Sequence, residues 1–210
     1  KTGGGFSFSR PLNGGDPFKV AKWRVLAGMN FKEVKMIDGS GNNKPYGDLT
    51  PTTGNISDII CIGFTPNDGS CPEENVLLSV IASTSRNNLN NSINPTSGNK
   101  LSFGSEQFIS MGKNSPTFNR MRASYSFFVP TRLINLTKAC KSSDATSEDC
   151  PQAIGFQLKA GTIIGELPPY EAFCVGGSSS VRGWGSCDLA VGKNFVEGTV
   201  EYRFPVWRML

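Results

Sequence analysis

Residues Glu166 to Trp207 read ELPPYEAFCVGGSSSVRGWGSCDLAVGKNFVEGTVEYRFPVW, and this stretch carries the clearest structural pattern in the sequence. Its first part is rich in glycine and serine and carries one arginine, Arg182. Its second part alternates strictly between two kinds of side chain. One set is Val196, Gly198, Val200, Tyr202 and Phe204, and the other is Glu197, Thr199, Glu201 and Arg203. Because a period of two belongs to β-strands, this pattern predicts a strand whose two faces meet different surroundings.

Six earlier stretches show strand-like patterns as well. We predict strands over residues 4–10, 20–38, 76–85, 101–110, 118–129 and 153–164, followed by the alternating strand that ends the chain. In the second of these the pattern shifts phase at Val34 and Met36, which predicts a bulge or an exit from a membrane. Hairpin-like links join the seven strands, so the fold class is all-β, an antiparallel up-and-down meander.

Two architectures fit such a meander. In a soluble sandwich or small barrel the apolar face lies inside, whereas in a transmembrane barrel it meets lipid and the charges line a wet lumen. Periodicity alone does not separate them. The long second strand, the alternation of short and long links and the aromatic residues near strand ends favour the membrane form. Those aromatic residues are Trp23, Tyr202, Phe204 and Trp207. The charges that would then face the lumen are Arg120, Arg122, Lys159, Glu197, Glu201 and Arg203.

Composition argues against several functional classes. The chain has no histidine, which removes the Ser-His-Asp and Cys-His nucleophile systems and the zinc sites that need imidazole. We therefore predict no catalytic residue, no metal and no cofactor, and a protein that is not an enzyme. The net charge of +4 is spread along the chain, which does not favour nucleic-acid binding. Nowhere does an apolar run reach the roughly 18 residues of a membrane-spanning helix.

The six cysteines form three near pairs in sequence. Each pair brackets polar, turn-rich sequence, which favours three local disulfides formed in an oxidising compartment. Six cysteines allow about 15 pairings, so the sequence alone does not fix the connectivity. Free thiols are the main alternative, and a metal cluster is disfavoured because no CxxC motif occurs. The near pairs are Cys61 with Cys71, Cys140 with Cys150, and Cys174 with Cys187.

The segment PPYEAF followed by GGSSSVRGW resembles the outer-membrane β-barrel assembly family, which includes bacterial BamA-like surface antigens and the plastid-envelope import channel. The family motif is Val-Arg-Gly followed by Phe or Tyr, and here it reads Val181, Arg182, Gly183 and Trp184. Tryptophan departs from the motif but keeps an aromatic ring. Two further likenesses are Phe204-Pro205-Val206 at the end of the last strand and the turn Asn94 to Gly98 before Leu101. The LPPYEAF segment is most similar to the cyanobacterial and plastid branch.

The resemblance implies a barrel of sixteen strands preceded by periplasmic repeat domains. By that template, residues 1–210 are about seven strands of the C-terminal transmembrane barrel domain. Both ends are then truncated, since the repeat domains and the last strands are missing. The template also makes the loops with Cys61–Cys71 and Cys174–Cys187 extracellular, and it puts the link with Cys140 and Cys150 on the periplasmic side.

The resemblance gives Arg182 a role. The glycine-rich loop is expected to fold into the lumen and to anchor itself through Arg182, while Gly176, Gly177 and Gly183 let the backbone pass close to the wall. In the family the acidic partner lies on strands after the end of this chain, so Glu197 and Glu201 are fallback partners. Without the family, Arg182 would be an exposed loop arginine.

The function implied is assembly or insertion of outer-membrane proteins, or translocation of polypeptides. The expected partners are the outer-membrane bilayer, an unfolded client barrel or translocating polypeptide, and accessory assembly proteins, with no nucleic acid. The expected location is a Gram-negative outer membrane of cyanobacterial type, with the plastid outer envelope as the alternative. A passive diffusion channel and a two-partner secretion pore are the alternative functions.

Overall fold

A computed structural model describes residues 2–12, 22–35, 74–111, 116–135, 137–141, 150–178 and 180–206. Seven strands form one antiparallel sheet in which each strand pairs with its neighbours in chain order. They are β1 (Thr2–Pro11), β2 (Trp23–Lys35), β3 (Glu74–Leu89), β4 (Gly98–Ser110), β5 (Phe118–Pro130), β6 (Ala153–Gly165) and β9 (Asn194–Arg203). The predicted all-β antiparallel meander of seven strands is confirmed.

Shorter elements complete the described residues. A helical turn, α1 (Lys138–Lys141), lies between β5 and β6, and a 3₁₀ turn (Pro169–Glu171) follows β6. Strands β7 (Phe173–Val175) and β8 (Ala190–Gly192) pair with each other in a separate two-stranded sheet. Sequence reasoning treats this region as loop, because three residues are too few to show a period. None of the helices in these parts of the chain is long and apolar enough to cross a membrane.

Strand β2 corrects one expectation. The phase shift at Val34 predicts a bulge or an exit from the membrane, and the bulge is wrong, because β2 pairs with β3 in unbroken register from Trp23 opposite Arg86 to Lys35 opposite Glu74. Val34 instead lies on the same face as Lys32 and is buried, with 3% of its surface exposed. The sequence pattern changes because the surroundings of that face change, while the backbone pairing continues. Residues 20, 21 and 36–38 of the predicted strand lie outside the described residues.

The two faces of the sheet differ in what covers them. Residues 166–193, here called the inner loop, leave β6 and return to β9 across one face, the inner face, where Glu171 contacts Lys32 of β2. Among the described residues nothing lies over the opposite face, the outer face, and this face is apolar: Leu158, Val196 and Val200 are 53%, 76% and 68% exposed. Exposed apolar side chains on one whole face of a sheet fit contact with hydrocarbon, since monomeric soluble proteins rarely expose such large apolar patches.

The outer apolar band runs obliquely across the strands. Its midpoint on β2 is Ala27, and the register leads from Ala27 straight across to Asn194 of β9, by way of Ala82, Ser105, Met121 and Thr162. The midpoint on β9 is Val200, six residues further along. That offset is about 20 Å along the strands for about 24 Å across five strand spacings, a tilt of about 40°. Transmembrane barrel strands tilt by about 35–45°, so a level apolar band requires this arrangement.

A small apolar core lies between the inner face and the inner loop. Phe173 of β7 packs on Leu77, Phe108, Phe118 and Ile163 of the sheet. Phe108 and Phe118 stack with their ring centres 4.2 Å apart. Gly161 of β6 makes room for this contact, because a Cβ atom there would lie 2.7 Å from Phe173 Cζ and 2.5 Å from Phe195 Cε1. The inner face is therefore apolar where Phe173 packs on it.

The connection between β5 and β6 is built around Gln152, which is 1% exposed. Its Oε1 accepts from the backbone N–H groups of Leu133 and Ile134, both at 3.2 Å, and from the Tyr202 hydroxyl at 2.6 Å. A disulfide joins Cys140 to Cys150 beside it. Tyr202, expected to be an interfacial aromatic, thus also ties β9 to this connection. Trp207 lies outside the described residues.

The outer-face assignment predicts a strong asymmetry between two neighbouring positions of β9. Val200→Arg should lower the free energy of unfolding of the complete protein from lipid vesicles by about 2–4 kcal/mol, because it puts a cation near the middle of the hydrocarbon. Thr199→Arg, which points to the inner face, is the matched control and should change it by less than about 1 kcal/mol. Equal losses for the two variants in urea titrations would contradict the assignment.

The packing of the inner loop predicts a second asymmetry between two glycines. Gly161→Val should displace Phe173 from the inner face of the sheet, here called the wall, and destabilise the loop packing by about 1–3 kcal/mol. The change should be seen as faster amide exchange in residues 166–175. Gly198→Val is the control, since a Cβ atom at Gly198 meets nothing within 4 Å. Unchanged exchange in the Gly161 variant would show that the loop does not pack on this wall.

Candidate functional site: the inner loop and its wall contacts

The two limbs of the inner loop are joined close to the sheet. Leu189 N–H donates to Val175 O at 3.2 Å, and a disulfide links Cys174 to Cys187. Phe173 stands opposite Gly192 at the start of the β7–β8 pair. These contacts close the loop and are here called its neck, and residues 176–178 and 180–186 extend beyond the neck.

Glu171 holds the first part of the loop to the wall. One carboxylate oxygen lies 2.5 Å from Arg120 Nη1 of β5, and the other lies 3.2 Å from Lys32 Nζ of β2. The Glu171 side chain is 3% exposed and that of Arg120 is 11% exposed. A buried ion pair resists separation, because removing one partner leaves an unpaired buried charge at a cost of about 3–5 kcal/mol.

The same ionic cluster continues into the sheet. Arg120 Nη2 lies 2.5 Å from Glu106 Oε2 of β4, directly opposite it in the register. Ser79 of β3 donates its hydroxyl to the other Glu106 oxygen at 2.9 Å. The cluster of Lys32, Ser79, Glu106, Arg120 and Glu171 thus ties the loop to four consecutive strands. We call it the base cluster.

Aromatic rings border the base cluster. The Phe108 ring lies 5.3 Å from Lys32 Nζ and 5.2 Å from the Arg120 guanidinium carbon, within the range of a cation–π contact. Burial, and then the neighbouring Glu171 carboxylate, raise the pKa of the Tyr170 phenol above its ordinary value. Aromatic side chains therefore lie next to both cations of the base cluster and next to its Glu171 carboxylate.

Further along the loop, Ser180 contacts the wall through Glu197. The Ser180 hydroxyl accepts from Gly176 N–H at 3.2 Å and donates to Glu197 Oε2 at 2.6 Å. The other Glu197 oxygen lies 3.1 Å from Lys159 Nζ of β6. Glu197 therefore bridges the loop and its neighbouring strand.

Arg182 reaches the far part of the wall. Its Nη2 lies 2.8 Å from Glu201 Oε1, and the other Glu201 oxygen accepts from Arg203 Nη2 at 2.8 Å and Nε at 3.2 Å. Glu201 stands seven residues along β9 from Asn194, about 23 Å from where the strand begins. The Arg182 side chain is 78% exposed, and exposed ion pairs contribute only about 0.2–1 kcal/mol.

The other motif residues serve the shape of the loop. Gly177 N–H donates to Trp184 O at 3.1 Å, which closes a turn around Arg182. Gly183 has a φ of 92°, a left-handed conformation that favours glycine, and Gly176 has a φ of 126°. A Cβ atom at Gly176 would meet Gly185 O of the opposite limb, so this glycine allows contact within the loop and not with the wall. Val181 is half-buried, and Trp184 is exposed.

The contacts of the predicted site residues differ from those expected from the sequence. Among the described residues Arg182 pairs with Glu201, a fallback partner in the sequence-based hypothesis, and Glu197 contacts Ser180 and Lys159 instead. The expectation that Arg120 is a solvated lumen charge is wrong, because the 3₁₀ turn covers it. Arg122 is exposed and lies 5.3 Å from the Phe173 ring. Two predicted disulfides are present, whereas Cys61 and Cys71 lie outside the described residues.

Sequence reasoning misses Glu171 and Glu106. A signal exists for Glu171, since it is the one charged residue in the otherwise uncharged run Leu167 to Val181. Glu106 and Arg120 lie on neighbouring strands, but their opposition follows only from the register. Within the described ranges, no three His, Cys, Asp or Glu side chains are grouped so that they could hold a metal ion.

Three curated plant proteins show the relationship of this chain to known sequences. Protein TOC75-4, chloroplastic, of Arabidopsis thaliana is 27% identical over 85% of this chain and 42% of its own length. Protein TOC75, chloroplastic, of Oryza sativa is 31% identical over 52% of this chain and 12% of its own length. Outer envelope protein 80, chloroplastic, of Arabidopsis thaliana is 39% identical over 27% of this chain and 8% of its own length. The chain spans less than half the length of these relatives.

A family model extends the relationship to nearly the whole chain. The model of the Omp85 superfamily domain matches residues 1–209, which include all seven strands of the sheet and the complete inner loop. Together with the outward apolar face and the loop on the inner face, this match shows that the chain belongs to the Omp85 superfamily.

Proposed function

We propose that this chain is part of the wall of an outer-membrane barrel that inserts or translocates polypeptides, with the inner loop held in its lumen. The observation that carries the proposal is the inner loop itself. It follows the inner face from the base cluster to Glu201, whereas the opposite face presents apolar side chains outward. A passive pore needs a charged wall but no folded-back element held by specific ion pairs.

The remainder of the proposal concerns the complete protein. Strands β1 and β9 form the edges of the seven-stranded sheet, and hydrocarbon does not satisfy the polar groups of an unpaired edge. We infer that further strands close the barrel, and that soluble repeat domains precede it. The partners would be the bilayer, an unfolded client or translocating polypeptide, and accessory proteins. The chloroplastic relatives favour a plastid outer envelope or a cyanobacterial outer membrane.

The mechanism uses hydrogen bonding and electrostatics only, with no cofactor and no catalytic residue. A client strand would add to an exposed sheet edge by backbone pairing. The residues described here would supply a rigid wall, an aqueous inner surface and a loop that occupies part of the lumen. Arg182 would anchor the distal part of that loop through Glu201, with Gly176, Gly177 and Gly183 shaping the turn around it.

The function is tested by reconstituting the complete protein into lipid vesicles and adding an unfolded client barrel. Client folding is monitored by the resistance of the folded barrel to heat in gel electrophoresis. We expect the client to fold at least about tenfold faster than in empty vesicles, because an edge template lowers the nucleation cost of strand pairing. Release of a trapped small solute is measured in the same vesicles. Solute release without accelerated client folding would support a passive channel instead.

The role of Arg182 is tested by Arg182→Ala in the complete protein. We expect protease resistance of the distal loop to fall about threefold, because an exposed ion pair is lost. Lys100→Ala is the control, since it removes an exposed inner-face cation of β4 outside the loop contacts. Unchanged barrel assembly together with unchanged protease resistance in the Arg182 variant would remove this role.

A further inference from the structure

We infer that Glu171 is the residue that positions the inner loop, and that the Arg182 contact is a releasable latch. The inference rests on the proposed function in that it takes the inner loop to be the lumen element of a barrel. It divides the loop into a fixed base, residues 166–175, and a movable tip, residues 180–186.

The Glu171 and Arg182 contacts differ in burial. The carboxylate of Glu171 is 3% exposed and is engaged through both oxygens, by Arg120 and by Lys32. The guanidinium-bearing side chain of Arg182 is 78% exposed and meets the wall through a single nitrogen. Solvent and salt screen the second contact far more than the first.

The two contacts also differ in the charges that remain without a partner when each contact breaks. Withdrawal of Glu171 would leave Arg120 and Lys32 close together with one carboxylate, Glu106, on the Arg120 side. Withdrawal of Arg182 leaves Glu201 still held by Arg203, and Arg203 still lies 5.1 Å from the Phe128 ring. The released Arg182 would be hydrated. Of the two contacts, only the Glu171 contact therefore leaves a buried charge without one of its partners when it breaks.

The neck of the loop separates the base from the tip. The disulfide between Cys174 and Cys187 and the β7–β8 pair close the neck of the loop. Beyond the neck, Gly176 and Gly177 adopt positive φ angles of 126° and 91°. A movement that breaks the Arg182 and Ser180 contacts can therefore pivot there without disturbing the base cluster.

Functionally, this arrangement lets the loop change lumen access without leaving the barrel. A polypeptide passing along the inner face would compete for Glu201 and Glu197 and displace the tip. The base would remain in place and return the tip afterwards. Glu171 is thus a positioning residue, acting through Arg120, Lys32 and the strands that carry them.

The test is amide hydrogen exchange, read by mass spectrometry, on the complete protein in lipid vesicles. Raising NaCl from about 0.05 M to about 1 M should speed exchange of the wild-type tip about threefold to fivefold and leave the base unchanged. Glu171→Gln should speed exchange of the base by at least about tenfold and of the tip as well. Arg182→Gln should affect the tip alone, by about threefold.

Glu166→Gln is the matched control. Glu166 lies in the same segment, its side chain is exposed, and its carboxylate accepts an exposed hydrogen bond from Thr117 N–H that a glutamine oxygen can also accept, so neither part should respond. An unchanged base in Glu171→Gln, or a base that responds to salt or to Arg182→Gln as strongly as the tip, would overturn the inference. If the Glu171→Gln variant does not fold, the salt dependence of exchange in the wild-type protein still tests the inference.

The client-folding assay on the same wild-type preparation keeps the two proposals separate. Absence of client folding with the expected exchange pattern would remove the proposed function and leave the positions of base and tip intact. Client folding with a reversed exchange pattern would overturn the role of Glu171 and retain the function.

Discussion

The structure depends on one constraint, which is that backbone polar groups in hydrocarbon must be paired within the protein. An antiparallel sheet meets this constraint strand by strand, provided that its lipid-facing side chains are apolar. Every second residue then has to turn away from lipid, and in the central part of the strands the charged side chains, such as those of Arg120, Lys159 and Glu197, lie on that other side. The outer apolar band runs about 40° away from the perpendicular to the strands, and this oblique course follows from that requirement.

Collecting charge on the inner face creates a surface that can hold a loop. Near the neck of the inner loop, apolar residues such as Phe108 and Phe173 exclude water around the Glu171–Arg120 pair. Further along, Glu197 and Glu201 meet loop residues at partly exposed positions. The same type of interaction therefore has two strengths within one loop, set by burial. This gradient gives the molecule a firm attachment and a weak one.

Much of the fold could be predicted from sequence because alternation is a local signal. The face of each residue in the stretch Val196 to Arg203 follows from period two alone, and the structure agrees. The core beneath the loop could not be predicted, because Leu77 and Phe118 break the rule that inner positions are polar. Val34 does the same and mimics a bulge. These departures reflect a covering element that is distant in sequence.

The candidate site was predictable in position but not in its contacts. The Val181–Trp184 motif marks the loop, and near spacing identifies the disulfides at Cys140–Cys150 and Cys174–Cys187. The pairing of Arg120 with Glu171 joins residues 51 positions apart and depends on the path of the loop across the sheet. No period or spacing in the sequence carries that information.

The central claim is that the uncovered face of the sheet meets hydrocarbon. It is tested most directly by labelling the complete protein in lipid vesicles with a membrane-soluble carbene precursor and mapping the labelled residues by mass spectrometry. The account predicts label on Phe103, Leu158 and Val200, and little on Lys159 or Glu201. Label on the charged positions, with Leu158 and Val200 protected, would contradict it.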